Sequence, residues 1–132
     1  MPFAEFSPAE VGSSAGGFRW ASAGQGVLRI TVWGYWHEDV VRAFAAEAPA
    51  ALGKLAPSGT LVLDASALKP QGADAQEALR LLFRGLVPHA SVKAMVIARN
   101  ALTRMQLARL LRECGVDQRV EFGDNTSTTE GV

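Results

Sequence analysis

The hydrophobic positions of this chain change period several times, and each change marks an element. From Val27 to Trp33 they alternate. Leu28, Ile30 and Val32 share one face while Val27, Arg29, Thr31 and Trp33 share the other, which predicts a strand. Phe18–Ser22 predicts a shorter strand before it. Ala23-Gly-Gln-Gly26 between them predicts a hairpin turn, because glycine accepts the positive φ that tight turns need. After a connector at Gly34–Asp39 the spacing becomes helical. Val41, Phe44, Ala45, Ala48 and Leu52 recur on one face, with Glu38 and Asp39 in a first turn whose dipole suits carboxylates. Pro49 predicts a kink or the start of a second short segment.

Thr60–Phe83 organises the middle of the chain. Leu61-Val-Leu63 is apolar throughout and bounded by turn residues, which predicts a central strand covered on both faces. Ala75, Ala78, Leu79, Leu82, Phe83 and Leu86 then form the apolar stripe of a helix, with Gln76, Glu77, Arg80 and Arg84 on its other side. Val92–Ala98 predicts another core strand. Arg99–Leu102 reads as a loop and Thr103 as the N-cap of a last helix, whose stripe is Leu107, Leu110, Leu111 and Cys114 and whose stop is Gly115. Arg119–Phe122 predicts a final short strand. Strands alternating with helices predict an α/β fold: a mixed sheet of four to five strands with helices packed on it, right-handed crossovers and an N-terminal antiparallel hairpin. Residues 1–17 read as a flexible arm, 18–123 as one domain and 124–132 as a polar, disordered tail.

Composition narrows the function. The chain has 132 residues, enough for one domain with its own core. Thirteen basic residues balance thirteen acidic ones, so net charge gives no reason to expect nucleic acid or an anionic membrane as partner. The single cysteine, Cys114, can close no internal disulfide, which points to a reducing, cytoplasmic setting. The first residues do not read as a secretory signal, and no stretch is apolar over the length of a membrane span.

The apolar strand, Asp64-Ala-Ser66, Leu68, a short loop and a helix start together resemble the STAS domain. That is the fold of bacterial anti-sigma-factor antagonists and of cytoplasmic parts of sulfate transporters. The resemblance spans roughly residues 25–123, and Ala94–Leu111 is also similar to a STAS-like bacterial subgroup. In the family, Asp-x-Ser is followed by Asp-Ser-Ser-Gly at the helix start, and the second serine can be phosphorylated. Counted without gaps from Asp64, those four positions are Gly72, Ala73, Asp74 and Ala75, so Asp74 stands where that serine would be. The resemblance therefore implies a non-catalytic regulatory module that binds a protein partner, of the anti-sigma or kinase-like kind, and is not switched by serine phosphorylation. Asp74 is then either a fixed negative charge or simply the helix cap. The expected partner-binding residues are Asp64, Ser66, Gln71 and Asp74, with Arg104 and Arg109 on the last helix.

No residue set spells out a reaction. Asp64 as a metal ligand would need a second carboxylate, and only Asp74 stands near it in sequence. An internal hydrogen bond from Asp64 to Ser66 or its backbone is the structural alternative. His37 and His89 lack partners at ligand spacing, and there is no Gly-x-Ser-x-Gly elbow. Neither an enzyme, a metal nor a cofactor is expected. Trp33, Tyr35 and Trp36 crowd four positions. They predict either a satellite core or an exposed surface for a partner or an apolar ligand, and a pocket there for a nucleotide or lipid-like ligand is the alternative function. Met105, Ala108, Arg109 and Arg112 face away from the last helix's apolar stripe, and with Arg99 and Arg104 they make a basic surface. Such a surface is either solvated or suited to an acidic partner. The hairpin edge invites pairing with a second copy.

Overall fold

A computed structural model describes residues 9–22, 26–55, 58–89 and 91–123. The elements are β1 (Ala9–Ser13), β2 (Gly16–Ser22), β3 (Val27–Gly34), α1 (Glu38–Leu52), β4 (Thr60–Leu68), α2 (Ala73–Arg84), β5 (Lys93–Ala98), α3 (Ala101–Glu113), a short 3-10 turn at Asp117–Arg119, and β6 (Val120–Gly123). The six strands lie in sequence order across one sheet. β1, β2 and β3 are antiparallel, and β3, β4, β5 and β6 are parallel.

The order of the strands decides where the helices go. Each step from β3 to β6 moves one place in the same direction, and right-handed crossovers then put α1, α2 and α3 on the same side. The packing agrees. Phe18, Ile30, Val32, Leu61, Leu63 and Val96 of the sheet join Phe44, Leu79, Phe83 and Leu110 of the helices in one buried cluster. The aromatic end of that core is Phe18, Trp20, Trp36 and Phe44, with Phe18 and Phe44 edge to face at 5.1 Å.

Several expectations change. The sheet has six strands, not four to five. The additional strand, β1, lies inside the stretch read as an arm, and Gly16 and Gly17 belong to β2. These glycines are required by close packing: a Cβ on Gly16 would stand 2.1 Å from the Tyr35 carbonyl oxygen. Residues 1–8 and 124–132, the rest of the expected arm and the expected tail, lie outside the described residues, as does most of the Ala23–Gly26 turn.

β4 runs on to Leu68 instead of ending at Leu63, with a register shift against β3 between Thr31 and Trp33. Leu61, Val62 and Leu63 are all buried, so the strand is covered on both faces as expected, although the helices of the described residues lie on only one of them. α1 continues through Pro49 to Leu52 without a break. A proline this close to a helix end removes a single bond of the final turns. The cap of α3 is Asn100, whose side chain accepts from the N–H groups of Leu102 and Thr103 at 2.9 and 3.1 Å. Thr103 sits inside the helix, 1% exposed, and donates its hydroxyl to the Leu68 carbonyl at 2.8 Å. Among the described residues, no helix is long and apolar enough to cross a membrane.

Candidate functional site

Beyond Leu68 the chain crosses the C-terminal ends of the parallel strands, the edge where open α/β sheets usually bind. Backbone groups in such a crossing need partners, and Gln71 supplies them. Its side-chain nitrogen donates to the carbonyls of Gly34 at 2.8 Å and Lys69 at 2.7 Å. Its side-chain oxygen accepts from the Trp36 N–H at 2.9 Å. Its backbone N–H donates to Gln106 Oε1 at 2.8 Å, and its carbonyl accepts from Gln76 and Gln106. Gln71 is buried and locks the β3–α1 connector, the β4–α2 loop and α3 together.

Asp64 is not at this corner. It lies in mid-strand on the face away from the helices, opposite Thr31. Arg29 pairs with it at 2.7 Å, and its other oxygen accepts from the Ser66 hydroxyl at 2.7 Å and the Ser66 N–H at 3.1 Å. The internal bond to Ser66 is the structural alternative stated for this aspartate. Asp64 is buried, while Ser66 is half-buried.

Asp74 does stand at the corner. The N-cap of α2 is Gly72 in extended conformation, and no side chain caps the helix. Asp74 is thus a first-turn residue and not a capping one. Its carboxylate is exposed and makes no hydrogen bond or ion pair among the described residues. Beside it is a cavity of about 290 Å³ between the starts of α1 and α2, lined by Tyr35, Trp36, His37, Glu38, Gly72 and Asp74 among others.

The three clustered rings separate. Gly34, at φ 70°, turns the chain between them. Trp33 donates its indole N–H to the Ser13 carbonyl at 2.7 Å and does not line the cavity. Trp36 is 2% exposed and packs against Phe44 in the core, its indole N–H donating to Gly17 at 3.0 Å. Only Tyr35 is exposed, and its ring meets His37 edge to face at 5.5 Å.

α3 lies alongside α2 and carries the positive side of the site. Arg109 bonds Gln76 and lies 3.7 Å from Glu113, and the Arg104 guanidinium sits 4.9 Å over the Phe122 ring. Arg80 joins Glu113 at 2.8 Å and also bonds Glu77. The hydrogen bond from Arg80 holds the Glu113 carboxyl below the usual carboxylate range, and the same bond raises the Arg80 guanidinium. Burial pushes the Cys114 thiol up, and it donates to the Arg80 carbonyl at 3.6 Å. Among the described residues, no group of three or more His, Cys, Asp or Glu could hold a metal ion.

Sequence reasoning missed Leu102, which it placed in a loop. Leu102 and Met105 are 60% and 66% exposed on α3. The signal was present: residues 102, 105, 109 and 112 repeat at helical spacing opposite the buried stripe.

No family model matches the sequence, and no curated protein matches it. Solved structures do. The chain is similar to an anti-sigma factor antagonist from Mycobacterium paratuberculosis, with 19% identity over 95% of this chain and 92% of that one, at a TM-score of 0.58. It is similar to the anti-sigma factor antagonist SpoIIAA in its unphosphorylated form, with 12% identity over 87% of this chain and 97% of that one, also at 0.58. At these identities the shared property is the fold. The chain has a STAS-like α/β fold, with a mixed sheet, three helices among the described residues and an antiparallel N-terminal hairpin.

Proposed function

We propose that this chain is a non-catalytic regulatory module that docks a partner protein at the corner formed by the starts of α2 and α3. The observation that carries the reading is Asp74. It is an exposed carboxylate with no internal partner among the described residues, at the helix start that the rigid Gln71 clamp positions. An anion there is stabilised by the helix dipole, so the charge costs the fold nothing and is available to a partner. The position holds aspartate where a phosphorylatable serine stands in the resembled family, so this docking is constitutive and not set by a serine kinase. Arg109, which bonds Gln76 on α2, supplies the opposite charge nearest to it, and Arg104, over the Phe122 ring of β6, extends that charge along α3. Asp64, Ser66 and Gln71 act from within, by holding the strand and loop that present this surface. The partner is an anti-sigma or kinase-like protein of a bacterial cytoplasm.

The test is affinity purification on the full chain from its native cells, with Asp74→Lys beside it. The expected result is a protein retained by the wild type and lost by the variant, both baits folded. Retention of no protein, together with turnover of a small substrate that stops in Asp74→Ala, would overturn the reading.

The cavity favours a second reading, a small-molecule site at Tyr35 and Trp36, with Trp33 no longer part of it. A thermal-shift screen with nucleotides and lipid-like ligands separates the two, because a ligand of the folded state raises its melting temperature.

A further inference from the structure

We propose that the outward face of α3 receives an acidic amphipathic helix of the partner protein, which deepens the docking reading above and rests on it. Leu102, Met105, Arg109 and Arg112 follow one another at spacings of three, four and three, which aligns them along one side of the helix. Thr103, Leu107, Leu110 and Leu111 occupy the opposite side and are buried. A helix that only covers a sheet needs a single apolar stripe. Here a second one begins with Leu102 and Met105, the two most exposed large apolar residues among those described.

Charge specifies the occupant. Residues 99–113 hold four arginines and one acidic residue, Glu113. That glutamate is already engaged by Arg80 at 2.8 Å. Arg99, Arg104 and Arg112 make no ion pair among the described residues. In a chain of zero net charge, this is a local positive field built around an apolar pair. Its complement is a helix with two apolar residues about one turn apart and carboxylates on either side. Methionine adapts to an apolar partner, and arginine is enriched where partners bind. A nucleic acid would neutralise the arginines but leave Leu102 and Met105 uncovered.

The test places a photo-crosslinking benzophenone amino acid at position 105, or separately at position 74, of the full chain in its native cells. Mass spectrometry then reads the attached peptide. The expected product at position 105 is a partner peptide richer in Asp and Glu than in Lys and Arg, with apolar residues at helical spacing. Arg109→Glu with Arg112→Glu should cut that yield about tenfold or more, and Arg109→Gln with Arg112→Gln should cut it less. Crosslinking to a partner from position 74 but not from position 105 overturns the α3 docking and leaves the corner reading standing. A product at 105 that is nucleic acid, a basic peptide or a second copy of this chain also overturns it. No crosslink from either position overturns both.

Discussion

Gln71 accepts the backbone N–H of Trp36 through its side-chain oxygen at 2.9 Å, inside the protein. The same side chain donates to Gly34 and Lys69, so one residue satisfies three backbone groups at the sheet edge. Gln71→Ala should therefore destabilise the fold by about 2–4 kcal/mol, since buried polar groups are left without partners. Urea unfolding measures this. A loss below about 0.5 kcal/mol would show that water replaces the clamp without cost.

The Arg29–Asp64 pair makes a different kind of contribution. The Asp64 side chain is 11% exposed and that of Arg29 34%, so solvent screens the pair in part. Asp64→Ala strands the guanidinium and two Ser66 donors, and should cost about 1–3 kcal/mol. Replacing both partners with leucine should recover part of that loss. A double-mutant cycle with no coupling between positions 29 and 64 would remove the pair from the energetics.

Gly34 and Gly53 should respond oppositely to alanine. Gly34 has φ 70°, and an added Cβ would stand 2.1 Å from the Ala15 carbonyl oxygen. Gly34→Ala should cost about 2 kcal/mol or more. At Gly53 the φ is −64° and the nearest atom would be 3.4 Å away. Gly53→Ala should be neutral or stabilising by up to about 1 kcal/mol, because it restricts the unfolded chain. Thermal or urea unfolding of the two variants checks the contrast.

Much of this architecture is readable from the chain because periodicity reports directly on burial. The alternation at Leu28, Ile30 and Val32 and the α2 stripe are buried as that pattern requires. α3 buries Leu107, Leu110 and Leu111 with Cys114 half-buried, and α1 buries Phe44, Ala48 and Leu52 but with Val40 and Ala51 in place of Val41 and Ala45. What it missed has physical causes. β1 is short and contains Gly12, and Gly16 and Gly17 extend β2 ahead of the predicted Phe18–Ser22, so close backbone packing and not an apolar alternation makes these positions strand. Asp64 reads as a strand end because a charge interrupts an apolar run, but Arg29 from the neighbouring strand pairs with it and lets β4 continue. Gln71 looked like a surface group because its partners, Gly34, Trp36 and Gln106, are 35 or more residues away.

Acid should weaken the α2–α3 contact in a defined direction. Arg80 holds the Glu113 carboxyl below its usual range in the folded state. The folded form is then favoured at pH above the ordinary glutamate value, and this contribution disappears as pH falls through the lowered folded value. Glu113→Gln should remove that part of the acid sensitivity. Urea midpoints of both proteins across the acid range should converge on lowering the pH. Parallel curves would show that the Arg80 bond does not perturb Glu113.

The most direct test of the docking corner is calorimetric titration of the purified partner into the wild-type chain, Asp74→Asn and Asp74→Lys. The expected result is affinity weakened in the neutral variant and weakened further, by about tenfold or more, in the reversed one, with both variants folded and losing only about 0.3–1 kcal/mol of stability per charge removed from the field of the helix dipole. Equal affinity for all three proteins would contradict a docking role for the start of α2.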